Sequence, residues 1–211
     1  MRIDGTPIVE GDKSGVLDIL AGMLGNGTTS IDKDVFNEEI DYLGANVNIG
    51  FRSSFASSLT KHSDRILELM ADAIINPLLT VEEFEKTKEQ YIEGLKADEK
   101  SIDAISGRVG NALSYGKNHV YGEFVSEETL NNVSYEDVIE FHEKYTYPNN
   151  AYIVVIGDVN YKEVKKSISE KFSVWKKAKK TYQNNPILTS NVALTEVNFI
   201  DLPSATQSSI G

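Results

Sequence analysis

The chain of 211 residues contains no cysteine. That absence removes disulfides, thiolate metal sites and cysteine nucleophiles together. No apolar run approaches the ~20 residues needed to span a bilayer; the longest lies around AYIVVIG. Positive charge is scarce, with 21 Lys and Arg against 32 Asp and Glu and a net charge of −11. Such a surface repels a phosphate backbone unless a basic patch is built into it. The one basic run, Lys176 to Lys180, follows a helical pattern ending at Trp175, where cations suit a helix C-terminus. It reads as a solvated linker, and no nucleic-acid partner is expected. Histidine is also scarce: His62, His119 and His142. None has a second histidine three or four residues away, so no H-E-x-x-H pair exists. No G-x-S-x-G elbow is present, GDKSG having the wrong spacing, and no glycine loop is suited to cradling phosphate.

What is there is a set of amphipathic segments. RIDGTPIVE reads as a strand from Arg2 to Glu10, so the chain begins inside an element and is expected to be part of a longer protein. KSGVLDILAGMLGNGT places Val16, Ile19, Leu20, Met23 and Leu24 on one helical face. The opposite stripe is Asp18, Ala21, Gly22 and Gly25, one acid and three residues almost without side chains. A second helix carries Val35, Phe36, Ile40 and Leu43 and is capped by Gly44. Then Ala45 to Arg52 alternate apolar and polar, a half-buried strand, with SFASSLT as its antiparallel neighbour.

Further helices are expected from Asp64 to Pro77, after the Thr80/Glu83 cap, across Ile102 to Leu113, after Ser134, and after the Asn160/Glu163 cap. AYIVVIG, apolar without interruption, predicts a central strand, and a last strand is expected from Ala193 to Leu202. The class is α+β, an antiparallel or mixed sheet with several helices packed on one face. Residues 1–202 are expected to form a single domain, with 203–211 beginning a linker or a following domain.

Four stretches, in order, resemble the insulinase and mitochondrial-processing-peptidase family of zinc peptidases (M16, pitrilysin type). KSGVLDILAGMLGNGT is similar to that family's K-S-G-L-A-H-F-L-E-H-M-L-F-K-G-T helix. LSYGKNHVYGEF resembles its H-P-Y-G loop, VSYEDVIEFHEKYTYPNNAYIVVIGDVN its "fh..yy.p.N..lvvvGdv" segment, and LPSATQSSIG its P-G-x-x-Q-S-x-I strand. The resemblance puts the first histidine ligand at Asp18, the catalytic glutamate at Ala21, the second histidine at Gly22, and the third ligand at Gly94, or at Glu93 after a one-residue slip. Catalytic zinc needs about three protein donors and a water. Ala21 and Gly22 offer neither donor nor base, so no catalytic residue, metal ligand or cofactor is expected in this chain. If the helix match is set aside and the stripe is ordinary packing, the same conclusion follows.

The resemblance implies a non-catalytic half of a peptidase chamber. Its partner would be a half or subunit carrying H-x-x-E-H and the zinc, its substrate a peptide, and its docking edge ANVNIGF, with Asn48, Ile49 and Gly50 the positions to watch. An Arg/Tyr pair that binds substrate in the family would lie past Gly211. The alternative is a structural subunit of a larger complex without peptidase activity. A third reading, an independent hydrolase, would have to rest on His119. Cytoplasmic and periplasmic or cell-envelope locations fit the sequence equally.

Overall fold

The alternating segment after the second helix turns back on itself as a hairpin, and the fold is organised around it. The computed structural model describes residues 1–5, 7–98, 101–179 and 197–201. They form two compact units, whose boundaries fall inside helices α1 (Val16–Met23) and α4 (Val81–Asp98).

The first unit comprises Met1–Gly5, Leu17–Thr87 and Tyr135–Gln183. Strand β1 (Arg2–Ile3) pairs antiparallel with β4 (Ala151–Tyr152), and β2 (Asn46–Asn48) with β3 (Phe55–Ser57) in the register Val47 to Ala56. A bridge from Arg2 to Ser53 joins the two pairs, and the Ile3 amide donates to the Arg52 carbonyl at 2.8 Å. Strand residues alternate between faces. Ile3, Val47, Ala56 and Ala151 turn toward a core of Phe36, Ile40, Ile66, Leu69, Met70, Ala73, Ile74 and Trp175. Asn46, Asn48, Phe55, Ser57 and Tyr152 lie on the exposed face.

The core residues come from helices α2 (Lys33–Tyr42) and α3 (Ser63–Ile75) and from the segment after α8 (Tyr161–Lys171), so the helices cover one sheet face, as the α+β pattern requires. Arg65 on α3 clamps Glu39 on α2 with two bonds, at 2.6 and 2.8 Å. That charge-assisted fork holds the Glu39 carboxyl below its ordinary range. Asn160 caps α8 by accepting from the amides of Lys162 and Glu163. Helix α7 (Tyr135–Tyr145) buries Val138 and Phe141.

The second unit comprises Thr6–Val16, Lys88–Ser134 and Asn184–Gly211. Helix α5 (Ile102–Tyr115) is capped by Ser101, and the short α6 (Glu127–Asn132) by a reciprocal Ser126–Thr129 box. The Glu123 carboxylate accepts from the amides of Glu10 and Gly11 at 3.1 and 3.0 Å. Lys88 donates to the carbonyls of Asn131 and Val133, closing the end of α6. Among the described residues no helix is long and apolar enough to cross a membrane.

Three strand expectations are corrected. The first strand ends at Ile3 instead of Glu10; Pro7 has no amide to donate to a ladder, and Gly11–Lys13 form a 3₁₀ turn. AYIVVIG is not a central strand: only Ala151–Tyr152 pair, and Val154 and Ile156 are 74% and 92% exposed. An apolar run is buried on both sides only where packed layers cover both faces of a sheet, and among the described residues β4 pairs with β1 alone. Residues 197–201 of the last expected strand carry no strand, with Phe199 exposed; 193–196, Leu202 and 203–211 lie outside the described residues.

Candidate functional site

Helical periodicity decides what α1 presents. Val16, Ile19, Leu20 and Met23 are buried, the last three completely. The remaining stripe therefore faces outward: Ala21 and Gly22 are exposed and Asp18 is half-buried. Burial pushes the Asp18 carboxyl above its ordinary range, because the charged form loses hydration. The helix N-terminus, where Asp18 sits, favours the anion in the opposite sense.

After α1 the chain reaches the hairpin. Leu24 packs against the core, and a methyl group at Gly25 would touch the Ile49 Cβ at 3.7 Å. The bare end of α1 and the turn after β2 are thus neighbours. Among the described residues β2 pairs with β3 and with no other strand.

The three positions singled out on ANVNIGF divide here. Asn48 ends the strand and is exposed, whereas Ile49 is 7% exposed and belongs to the core. Gly50 sits in the turn, where a Cβ would approach the Ser53 carbonyl oxygen to 2.7 Å. The expected strand from Ala45 to Arg52 therefore narrows to Asn46–Asn48, because the Gly50–Ser53 close approach ends the ladder. The inward row of Ile49 and Phe51 persists beyond it.

The donor set does not fit a catalytic zinc. On α1 it consists of one half-buried carboxyl, a methyl group and a hydrogen, where zinc requires about three nitrogen, sulfur or carboxylate donors. Among the described residues no three His, Asp or Glu side chains converge on a point. Glu93 and Gly94 are both exposed on α4, and Gly94 has nothing within reach of a Cβ.

His119 is not built for hydrolysis either. It is 5% exposed and stacked on Tyr115 at 5.4 Å, with Tyr121 tilted against it at 5.4 Å. Its Nδ1 accepts the Tyr121 amide at 3.2 Å. With Nδ1 taken by the backbone and the ring buried against two phenol rings, the imidazole presents no exposed base; its Nε2 is buried and has no hydrogen-bond partner among the described residues.

Comparison with known proteins gives the chain's relatives. The model of the insulinase family, peptidase family M16, matches residues 8–119, and that of the peptidase M16 inactive domain matches residues 132–210. A curated relative from Rickettsia felis, an uncharacterized zinc protease, is 24% identical over 183 residues. That match covers 84% of this chain and 44% of the relative, so the chain spans less than half its length. Among solved structures, a protease from Helicobacter pylori superimposes with a TM-score of 0.74 at 20% identity, over 90% of this chain and 47% of that one. A peptidase M16 inactive domain from Pseudomonas fluorescens gives 0.72 at 18% identity, over 88% and 47%.

Proposed function

We propose that this chain, which belongs to the insulinase family of peptidases (M16), is a non-catalytic portion of a peptidase assembly that lines a chamber for peptides. The observation that carries the proposal is the surface of α1. Where the family's motif would supply two histidines and a glutamate, this helix presents Asp18, Ala21 and Gly22. Zinc and the activated water would come from a partner half or subunit with an intact H-x-x-E-H helix.

Peptide would be taken up by strand addition along the edge of β2 away from β3, with Asn48 on the strand and Ile49 and Gly50 holding its end. The edge is suited to this because its backbone groups have no other strand to pair with among the described residues. Loss of the bulky ligands from α1 leaves a shallow surface next to that edge.

Two experiments test this. Affinity purification of the tagged full-length protein from its native source is expected to bring down a subunit with H-x-x-E-H, unless the same polypeptide contains that helix. Recovery in a larger complex with no such helix anywhere would instead support the scaffold reading. Second, adding an unstructured 15-residue peptide to the assembly is expected to slow hydrogen exchange across residues 45–51 by about tenfold, the protection of roughly one or two backbone bonds. Unchanged exchange there, with peptide bound, would refute the docking edge.

A further inference from the structure

Two polar atoms are stranded behind the β2–β3 turn. His142 Nε2 and Thr146 Oγ1 are sealed from solvent and have no hydrogen-bond partner among the described residues. They lie one helical turn apart, joined by the Thr146 amide donating to the His142 carbonyl at 2.9 Å, so their side chains share one side of α7 and its end. Both line a single cavity with Leu24, Ile49, Gly50, Phe51 and Ile74. Its volume of about 10 Å³ is the room of one water.

The imidazole already has a partner on its other side. The backbone of Ile74 acts on the ring in the sense that favours its charged form, as a carbonyl acceptor does, and because Nε2 is unpartnered that contact is assigned to Nδ1. A carbonyl can only accept, so Nδ1 carries the proton and Nε2 is a bare lone pair. The lone pair needs a donor, and Thr146 Oγ1 needs at least one partner of its own. The other lining residues, Leu24, Ile49, Gly50, Phe51 and Ile74, carry no polar side chain. A dry void would leave both atoms unsatisfied, which folded proteins rarely tolerate.

We propose that the cavity holds one internal water, donating to His142 Nε2 and bonded to Thr146 Oγ1, which props the turn Ile49–Phe51 from behind. The peptide-docking role of that turn rests on the function proposed above; the water site does not.

The arrangement requires a neutral His142. Protonating Nε2 would replace an acceptor by a donor and place a charge among apolar walls. None of the cavity-lining residues outside α7 and its end is titratable; Glu143, on the same helix as His142, is a charged side chain acting on the ring. Burial holds the imidazole below its ordinary value of 6.5. The unfolded chain therefore binds more protons than the native one just below pH 6.5. This contribution to stability is full above that pH and is lost as pH falls through the depressed native value.

The test is made on the full chain in solution. Long-range ¹⁵N spectra of His142 are expected to show a protonated Nδ1 and a bare Nε2 at pH 7.5. Rotating-frame water spectra are expected to show a cross-peak from a long-lived water to the Thr146 side chain and the Gly50 amide. Thr146→Val should abolish that cross-peak and leave the tautomer unchanged. A protonated Nε2, or no long-lived water in the wild type, would overturn the proposal even if the variant fails to fold. Because these readings are made without peptide, they stand or fall separately from strand docking.

Discussion

Phe36→Ala is expected to cost about 3–5 kcal/mol of folding stability, measured by denaturant unfolding. Phe36 is 1% exposed on the inner face of α2, in one cluster with Ile40, Ile66, Leu69, Met70, Ile74 and Trp175. Truncation removes the ring's transfer energy and leaves a cavity bounded by two helices and the sheet, which cannot close without moving all three. Against a typical total of about 5–15 kcal/mol, the loss is a large share of what holds the domain folded. Val35→Ala is the control: Val35 is 55% exposed and its truncation should change stability by less than about 0.5 kcal/mol. Equal effects of the two substitutions would show that α2 does not face the sheet as described.

Gly122→Ala is expected to destabilise by about 3 kcal/mol, through overpacking instead of a void. The loop 116–123 is folded on itself. The His119 amide donates to the Gly116 carbonyl at 3.1 Å, and the amides of Gly122 and Glu123 both donate to the His119 carbonyl, at 2.8 and 2.7 Å. A Cβ at position 122 would run into the Gly116 carbonyl oxygen and come within 2.8 Å of its carbon. The obstacle is hydrogen-bonded backbone, not the end of a side chain, so relief means breaking the loop and unstacking His119 from Tyr115. Gly107→Ala gives the opposite sign. That glycine lies within α5 with nothing near its Cβ position, and alanine there should stabilise by up to about 1 kcal/mol. Calorimetric midpoints that move the same way in both variants would contradict the loop geometry.

Helices were the most legible part of the sequence, because 3.6-residue periodicity and local caps need no distant partner. Ile66, Met70, Ala73 and Ile74 are inward as their spacing predicts, and Asn160 caps α8. The hairpin was legible from alternation alone, though its ends were not: the Gly50–Ser53 approach that stops the ladder depends on three-dimensional closure. AYIVVIG misled because burial of a strand depends on what lies beside it, and composition does not report that.

At the candidate site, residue type alone tells that Ala21 and Gly22 carry no donor atom and that Asp18 offers a single carboxyl. The cavity behind the turn was not legible. Its only linear trace is the four-residue spacing of His142 and Thr146, which is common on any helix. Its apolar walls come from the residue after α1, from α3 and from the turn, far apart along the chain.

Metal analysis of the purified full chain, equilibrated with zinc and then dialysed free of it, tests the central claim most directly. The account predicts no stoichiometric zinc and no peptide cleavage by the chain alone. One tightly held zinc per chain, lost on Asp18→Ala, would contradict it.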